Sequence, residues 1–182
     1  KCLRFAGPKT GNSVLDVCCG TGKLAIAIAA QGTMVDLVGI DISRPLIKTA
    51  QSKARHTSSS YLIASAGDLP FKSSRFDKCI ISFGLHHIPG EIRLRALKEV
   101  NRALAAGGNL YIFDYNLPER GPRRLAAVAF TRLDNKGEAF NMLQSGKLLR
   151  EIEEAGFEIT ERALTYWGII QLLKAVKKRP AE

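Results

Sequence analysis

Val14-Leu15-Asp16-Val17-Cys18-Cys19-Gly20-Thr21-Gly22 is the stretch on which the reading of this chain turns. Ser13 to Val17 is a short apolar run that breaks into a glycine-rich turn, the pattern of a buried strand. Lys23 to Ala30 follows with good helix formers and stops at Gly32, which gives strand, glycine turn and helix in sequence. Glycine in such a turn lets the backbone approach a ligand closely.

Working outward, Val35 to Ile42 reads as a second strand ending at Asp41, with Ser43 placed to cap a helix whose apolar stripe is Leu46, Ile47, Ala50 and Ala54. Ser60–Ala64 and Phe76–Phe83 read as the third and fourth strands. The next helix has Ile92, Ala96, Leu97, Val100 and Leu104 on one face and Arg93, Arg95, Lys98, Glu99 and Arg102 on the other, and Gly107-Gly108 is expected to end it. Asn109–Tyr115 is the fifth strand. A Pro- and Arg-rich stretch from Asn116 to Arg124, a helical segment to about Leu133 and a helix over Ser145–Ala155 come next. Phe157–Leu164 and Ile169–Val176 close the chain.

Strands alternating with helices predict an α/β fold, a mostly parallel sheet covered by helices on both faces. The connection Thr165–Gly168 is too short for a parallel crossover, so the last two strands are expected to be antiparallel. At 182 residues, with no internal repeat, one domain suffices.

Ligands in such sheets bind beyond the carboxyl ends of the strands, where strand order reverses. Gly20-Thr21-Gly22-Lys23-Leu24-Ala25 also satisfies the dinucleotide fingerprint, with Asp41 near the ~20-residue offset of its ribose-binding acid. A NAD(P)-dependent reductase therefore competes. Against it stand Asp16, a carboxylate inside a buried strand that needs a role, a further carboxylate at Asp68, and the closing antiparallel pair. Together these favour a ligand with an ammonium group, a ribose and an adenine.

With its stretches Val14–Gly22, Gly39-Ile40-Asp41-Ile42-Ser43, Gly67-Asp68-Leu69-Pro70-Phe71, Phe76-Asp77 and Ser82-Phe83-Gly84-Leu85, the sequence resembles the class I S-adenosylmethionine-dependent methyltransferases. Within them it is most similar to the ubiquinone/menaquinone biosynthesis branch. The resemblance implies a Rossmann-like three-layer sandwich with seven strands, the last antiparallel, over a single methyltransferase domain at 1–182. It implies S-adenosylmethionine as cofactor, leaving as S-adenosylhomocysteine. Gly20 and Gly22 would approach it, Asp16 would lie near its amino-acid end, Asp41 would hold the ribose and Asp68 the adenine amino group. Ile42 and Leu69 would line the adenine pocket, with Cys18, Thr21 and Ser82 also at the cofactor.

Two positions depart from the pattern: Cys18 stands where many members have glycine, and His86-His87 stand where the quinone branch has an Arg-Asn pair. These histidines leave the fourth strand beside the expected methyl position, and histidine is the side chain best tuned to take a proton near neutral pH. They are the candidate catalytic residues; the competing reading is that both only shape the wall and anchor the loop. His56 reads as a surface residue.

The acceptor is expected to be a small organic molecule, a quinone precursor or a related metabolite; a non-catalytic cofactor-binding subunit is the alternative. The net charge of +10 invites anionic partners. Ser82-Phe83-Gly84-Leu85 lacks the Asn/Asp-Pro-Pro-aromatic pattern of base-amine methylation, which disfavours nucleic acid. Arg120, Arg123, Arg124 and Arg132 could meet an acidic metabolite or a membrane surface. The spacing of Cys2, Cys18, Cys19 and Cys79 is not that of a metal site and fits a reduced, cytoplasmic setting. No signal peptide is read, and a start at Lys1 rather than Met leaves room for a missing N-terminal cap.

Overall fold

Val14, Leu15 and Val17 are completely buried because the strand that carries them, β1 (Ser13–Val17), lies inside a sheet covered on both faces. The computed structural model describes residues 2–54, 57–118, 122–133 and 138–178. Ahead of β1 runs α1 (Cys2–Ala6). After it come α2 (Lys23–Ala29), β2 (Asp36–Asp41), α3 (Arg44–Lys53), β3 (Ser59–Ile63), β4 (Phe76–Ser82), α4 (Gly90–Ala103) and β5 (Leu104–Tyr115). The chain continues through α5 (Pro122–Leu133), α6 (Glu138–Leu143), α7 (Lys147–Glu154), β6 (Phe157–Thr165) and β7 (Ile170–Lys177).

All seven strands form one sheet in the order β3-β2-β1-β4-β5-β7-β6. The five strands β1 to β5 pair in parallel, and β7 inserts between β5 and β6 antiparallel to both. Strand alternation divides the core. Leu15, Val17, Ile81 and Ile112 face Leu97, Val100, Leu148 and Ile152 of α4 and α7. Val14, Leu37, Ile80 and Phe113 face Ile28, Ile47 and Ala50 of α2 and α3, together with Ala6 of α1. The predicted α/β sandwich with its antiparallel final strand is what the chain adopts.

Several local expectations are corrected. Gly107-Gly108 does not end the α4 helix, which stops at Ala103; Leu104 already pairs with Phe76. The glycines instead lie in a register shift of β5, with Gly107 at φ +74° and a Cβ on Gly108 placed 2.9 Å from the Ala105 carbonyl oxygen. Ser43 makes no side-chain cap. The predicted helix over Ser145–Ala155 begins only at Lys147, preceded by the separate α6. The short α1 was not anticipated. Arg93, read as part of a polar face, is fully buried and forms a two-pronged ion pair with Glu151 of α7, at 2.6 and 3.1 Å.

Candidate active site

Strand order reverses between β1 and β4, and there a cavity of about 960 Å³ opens at the carboxyl ends of β1, β2 and β4. Its volume is at the upper end of the ~300–1,000 Å³ of small-molecule sites. Asp16, Cys18, Gly20, Thr21, Asp41, Ile42, Ser82 and His87 line it, as their sequence positions implied.

Asp41 organises the glycine turn. One carboxylate oxygen accepts the Gly20 N–H at 3.0 Å and the other the Ser43 N–H at 2.9 Å. Gly20 sits at φ +55° with nothing within 4 Å of where a Cβ would be, so the backbone here is open to a ligand. Asp16 is 2% exposed, and burial, reinforced by the charge of Asp41, pushes its carboxyl up to about 8. A cationic group brought beside this pair would relieve both costs. An amino group and a sulfonium are such cations, so the residues present fit S-adenosylmethionine.

Three of the expected cofactor residues lie outside the lining of this cavity. Gly22 (φ +72°) is constrained by packing, since its Cβ would stand 2.7 Å from the Tyr61 hydroxyl. Asp68 is exposed and outside the cavity lining. Its amide donates to the Ser65 carbonyl at 3.1 Å in a turn that carries the chain away toward α4, where Arg102, held protonated chiefly by its hydrogen bond to Glu99, also feels the charge of Asp68. Leu69 is buried in the core, and its N–H donates to Glu99 at 3.0 Å. Ala64, Ser65 and Ala66 occupy the wall expected of Asp68 and Leu69. The signal was available: they directly follow the carboxyl end of β3, whereas Asp68 lies five residues beyond Ile63.

The histidines separate. His86 is 2% exposed, with Nδ1 2.6 Å from an Asp114 carboxylate oxygen, and Asp114 also accepts the N–H groups of Leu85 and Tyr115. It anchors the turn after β4 and does not line the cavity. His87 is exposed and does line it, 4.0 Å ring to ring from His86. Of the pair, only His87 is placed to meet an acceptor.

Sequence reasoning missed the apolar wall of Leu3, Leu46, Phe83, Ile88, Pro89 and Ile92, and the cation Lys23 beside it. Phe83 holds φ +52°, a conformation a bulky residue keeps only when its surroundings enforce it. Its N–H donates to the Phe113 carbonyl at 2.7 Å. Cys18 also stands at positive φ (58°), which accounts for glycine being common there. Its side chain fits because residue 84 is glycine, where a Cβ would lie 2.5 Å from that of Cys18. Burial and nearby carboxylates push the Cys18 thiol up to about 12, so it is neutral and a poor nucleophile.

A family described as a methyltransferase domain matches residues 14–108, more than half of the chain. The chain belongs to that family. This methyltransferase domain is 38% identical over 112 residues to the demethylmenaquinone methyltransferase of Staphylococcus carnosus (strain TM300), covering 60% of this chain and 46% of that protein. The corresponding protein of Staphylococcus aureus (strain JH9) is 35% identical over 185 residues, covering 91% of this chain and 76% of that protein. The chain thus spans about half of some curated relatives and three quarters of others. Its fold is that of a Methanosarcina mazei protein described as a SAM-dependent methyltransferase, with a TM-score of 0.75 at 22% identity over 95% of both chains. Among the described residues no cluster of His, Cys, Asp and Glu could hold a metal ion, and no helix is long and apolar enough to cross a membrane. His56 and Arg120 lie outside the described residues.

Proposed function

We propose that this methyltransferase domain binds S-adenosylmethionine in the large cavity and methylates a small, largely apolar acceptor of the quinone-precursor class. The observation that carries the reading is the turn fixed by Asp41 through Gly20 and Ser43, with the buried Asp16 carboxyl beside it. When bound, the cofactor supplies a methyl group already activated on a sulfonium. What remains for the protein is alignment and the exclusion of water.

Asp41 would hold the ribose hydroxyls, Asp16 the ammonium end, and Ser65, Ala66 and Ile42 the adenine. Phe83, Ile88, Pro89 and Ile92 form an apolar wall suited to a flat ring, and the names of the quinone methyltransferases it resembles support that class. His87 is the residue of this wall that can accept a proton from a ring hydroxyl, leaving the acceptor electron-rich for attack on the methyl carbon. The reaction needs no membrane-spanning anchor, and a cytoplasmic setting suits it.

Calorimetry with S-adenosylhomocysteine tests the cofactor. Asp41→Ala removes two charge-assisted hydrogen bonds and is expected to weaken binding about 10- to 100-fold, and Ser65→Leu to block it. Asp68→Ala is expected to leave it within about twofold, as a solvent-facing site should. If NAD(P) raises the melting temperature and S-adenosylhomocysteine does not, the proposal falls. With a quinone-precursor acceptor, His87→Gln should lower kcat well below that of His86→Gln at matched folding, and equal losses would remove His87 from the chemistry.

A further inference from the structure

The turn between β6 and β7 carries features that methyl transfer does not use. Leu164, Tyr166 and Trp167 are 55%, 67% and 77% exposed. Tyr166, Trp167 and Gly168 stand in succession at positive φ (48°, 57° and 87°), so two aromatic side chains are held outward by backbone that bulky residues rarely adopt. Asn116 fastens this turn, its N–H donating to the Ile169 carbonyl and its Nδ2 to the Gly168 carbonyl, each at 2.7 Å. Because Tyr115 pairs with Ile170, the turn lies at the carboxyl end of β5, on the edge of the sheet where the large cavity opens.

Beside it is a second, polar cleft of about 240 Å³, whose lining includes Asn116, Arg124, Arg162 and Gln171. Arg162 donates to the Asn116 side chain at 2.8 Å, and Arg124 to the Pro118 carbonyl at 3.0 Å. Each guanidinium has five N–H groups, so both can still meet an oxyanion. Gln171 is 2% exposed; its Nε2 donates to the Tyr115 carbonyl at 2.8 Å, while its buried Oε1 has no partner. The cleft therefore offers donors to an anion and one orphaned acceptor to a ligand O–H. Leu125, next to Arg124, is 74% exposed. Glu161 precedes Arg162, but strand alternation turns it to the opposite face of β6, where its charge acts on Tyr111.

We propose that this edge docks on a bilayer containing phosphatidylglycerol, with Tyr166 and Trp167 in the interfacial layer, the lipid phosphate on Arg124 and Arg162, and a headgroup hydroxyl donating to Gln171 Oε1. Trp and Tyr suit that layer because each has a large apolar body and a polar tip. A turn exposing three such side chains is by itself too small for a stable protein interface, which buries ~1,200 Å² or more. A bilayer asks only for shallow insertion and attraction between opposite charges.

Trp167 is the only tryptophan of the chain, so its emission reports the contact directly. The purified protein is titrated with vesicles of phosphatidylcholine alone and of phosphatidylcholine with phosphatidylglycerol, following emission and co-sedimentation. The expected result is a blue shift and co-sedimentation with the anionic vesicles, weakened by salt. Trp167→Ala should lose most co-sedimentation. Arg162→Met should bind about fivefold more weakly, the effect of one basic residue at an anionic surface. Gln171→Leu should lose the preference for phosphatidylglycerol over phosphatidylserine at equal charge. S-adenosylhomocysteine binding by each variant shows that it is folded. Absence of a shift with anionic vesicles, equal binding to phosphatidylcholine alone, or a concentration-dependent shift without lipid that tracks dimerisation would each overturn the proposal. None of these outcomes bears on cofactor binding, which the S-adenosylhomocysteine titration reads separately.

Discussion

At the scale of single residues, Asp16 makes the protein sensitive to pH. Its folded-state pKa, about 8, lies above the model-peptide value of 3.8. Below both values the carboxyl is protonated in the folded and unfolded chains alike and costs nothing. As pH rises between them the unfolded chain loses its proton and the folded chain keeps it, so stability of the ligand-free protein falls, with a slope approaching about 1.4 kcal/mol per unit. Chemical denaturation across pH 5 to 8 is expected to show a decline that Asp16→Asn removes. A bound ammonium favours the ionised form, so S-adenosylhomocysteine should release protons on binding near pH 7, seen as a buffer-dependent enthalpy in calorimetry. The Cys18–Gly84 contact gives a second expectation. Gly84→Ala should cost about 1–3 kcal/mol by overpacking against Cys18, and Cys18→Gly in the same chain should recover most of it, measured by urea denaturation as a coupled pair. At this scale the sequence was readable where a residue's place follows from a strand end, as for Asp16, Gly20 and Asp41. It did not show that Asp68 stands outside the cavity lining, because a carboxylate in a turn says nothing of which way the turn faces, nor that Gly22 packs against Tyr61, 39 positions away.

Among elements, the contact between α4 and α7 rests on Arg93 and Glu151, a buried pair whose guanidinium also reaches the Ile88 carbonyl at 3.3 Å. Ile88 is in the wall of the cavity, so this helix pair also braces the acceptor side. Removing one partner leaves a charge in the core, and Glu151→Ala is expected to cost about 3–5 kcal/mol in urea denaturation. Arg93→Met combined with Glu151→Leu should cost far less, because no unpaired charge remains. Helical periodicity could not reveal this. Arg93 falls among charged neighbours on α4, and only the approach of a later helix buries it. Most strand bounds were legible, because their apolar runs are bounded by turn residues. The start of β5 was not: the Gly107-Gly108 pair looks like a helix stop, and the strand's first pairing, Leu104 with Phe76, is separated from the rest by an irregular step.

For the whole molecule, layer order and sheet topology could be read because they follow from alternation and from one connection too short to cross over. What no local pattern disclosed was the distribution of sidedness: one edge of the sheet holds the cofactor cavity, the aromatic turn and the arginine cleft together. The position of β7 has a further consequence, in time rather than space. It lies between β5 and β6 although it is made after both, so a growing chain has no sheet neighbour for β5 on that side until residues 170–177 emerge. Until then the ladder from Asn109 to Tyr115 is an open, apolar edge, the kind that invites pairing with another copy. Completion of the fold is thereby tied to the end of synthesis of this strand, and a nascent chain stalled before residue 170 is expected to depend on chaperones that a chain synthesised through residue 177 no longer needs.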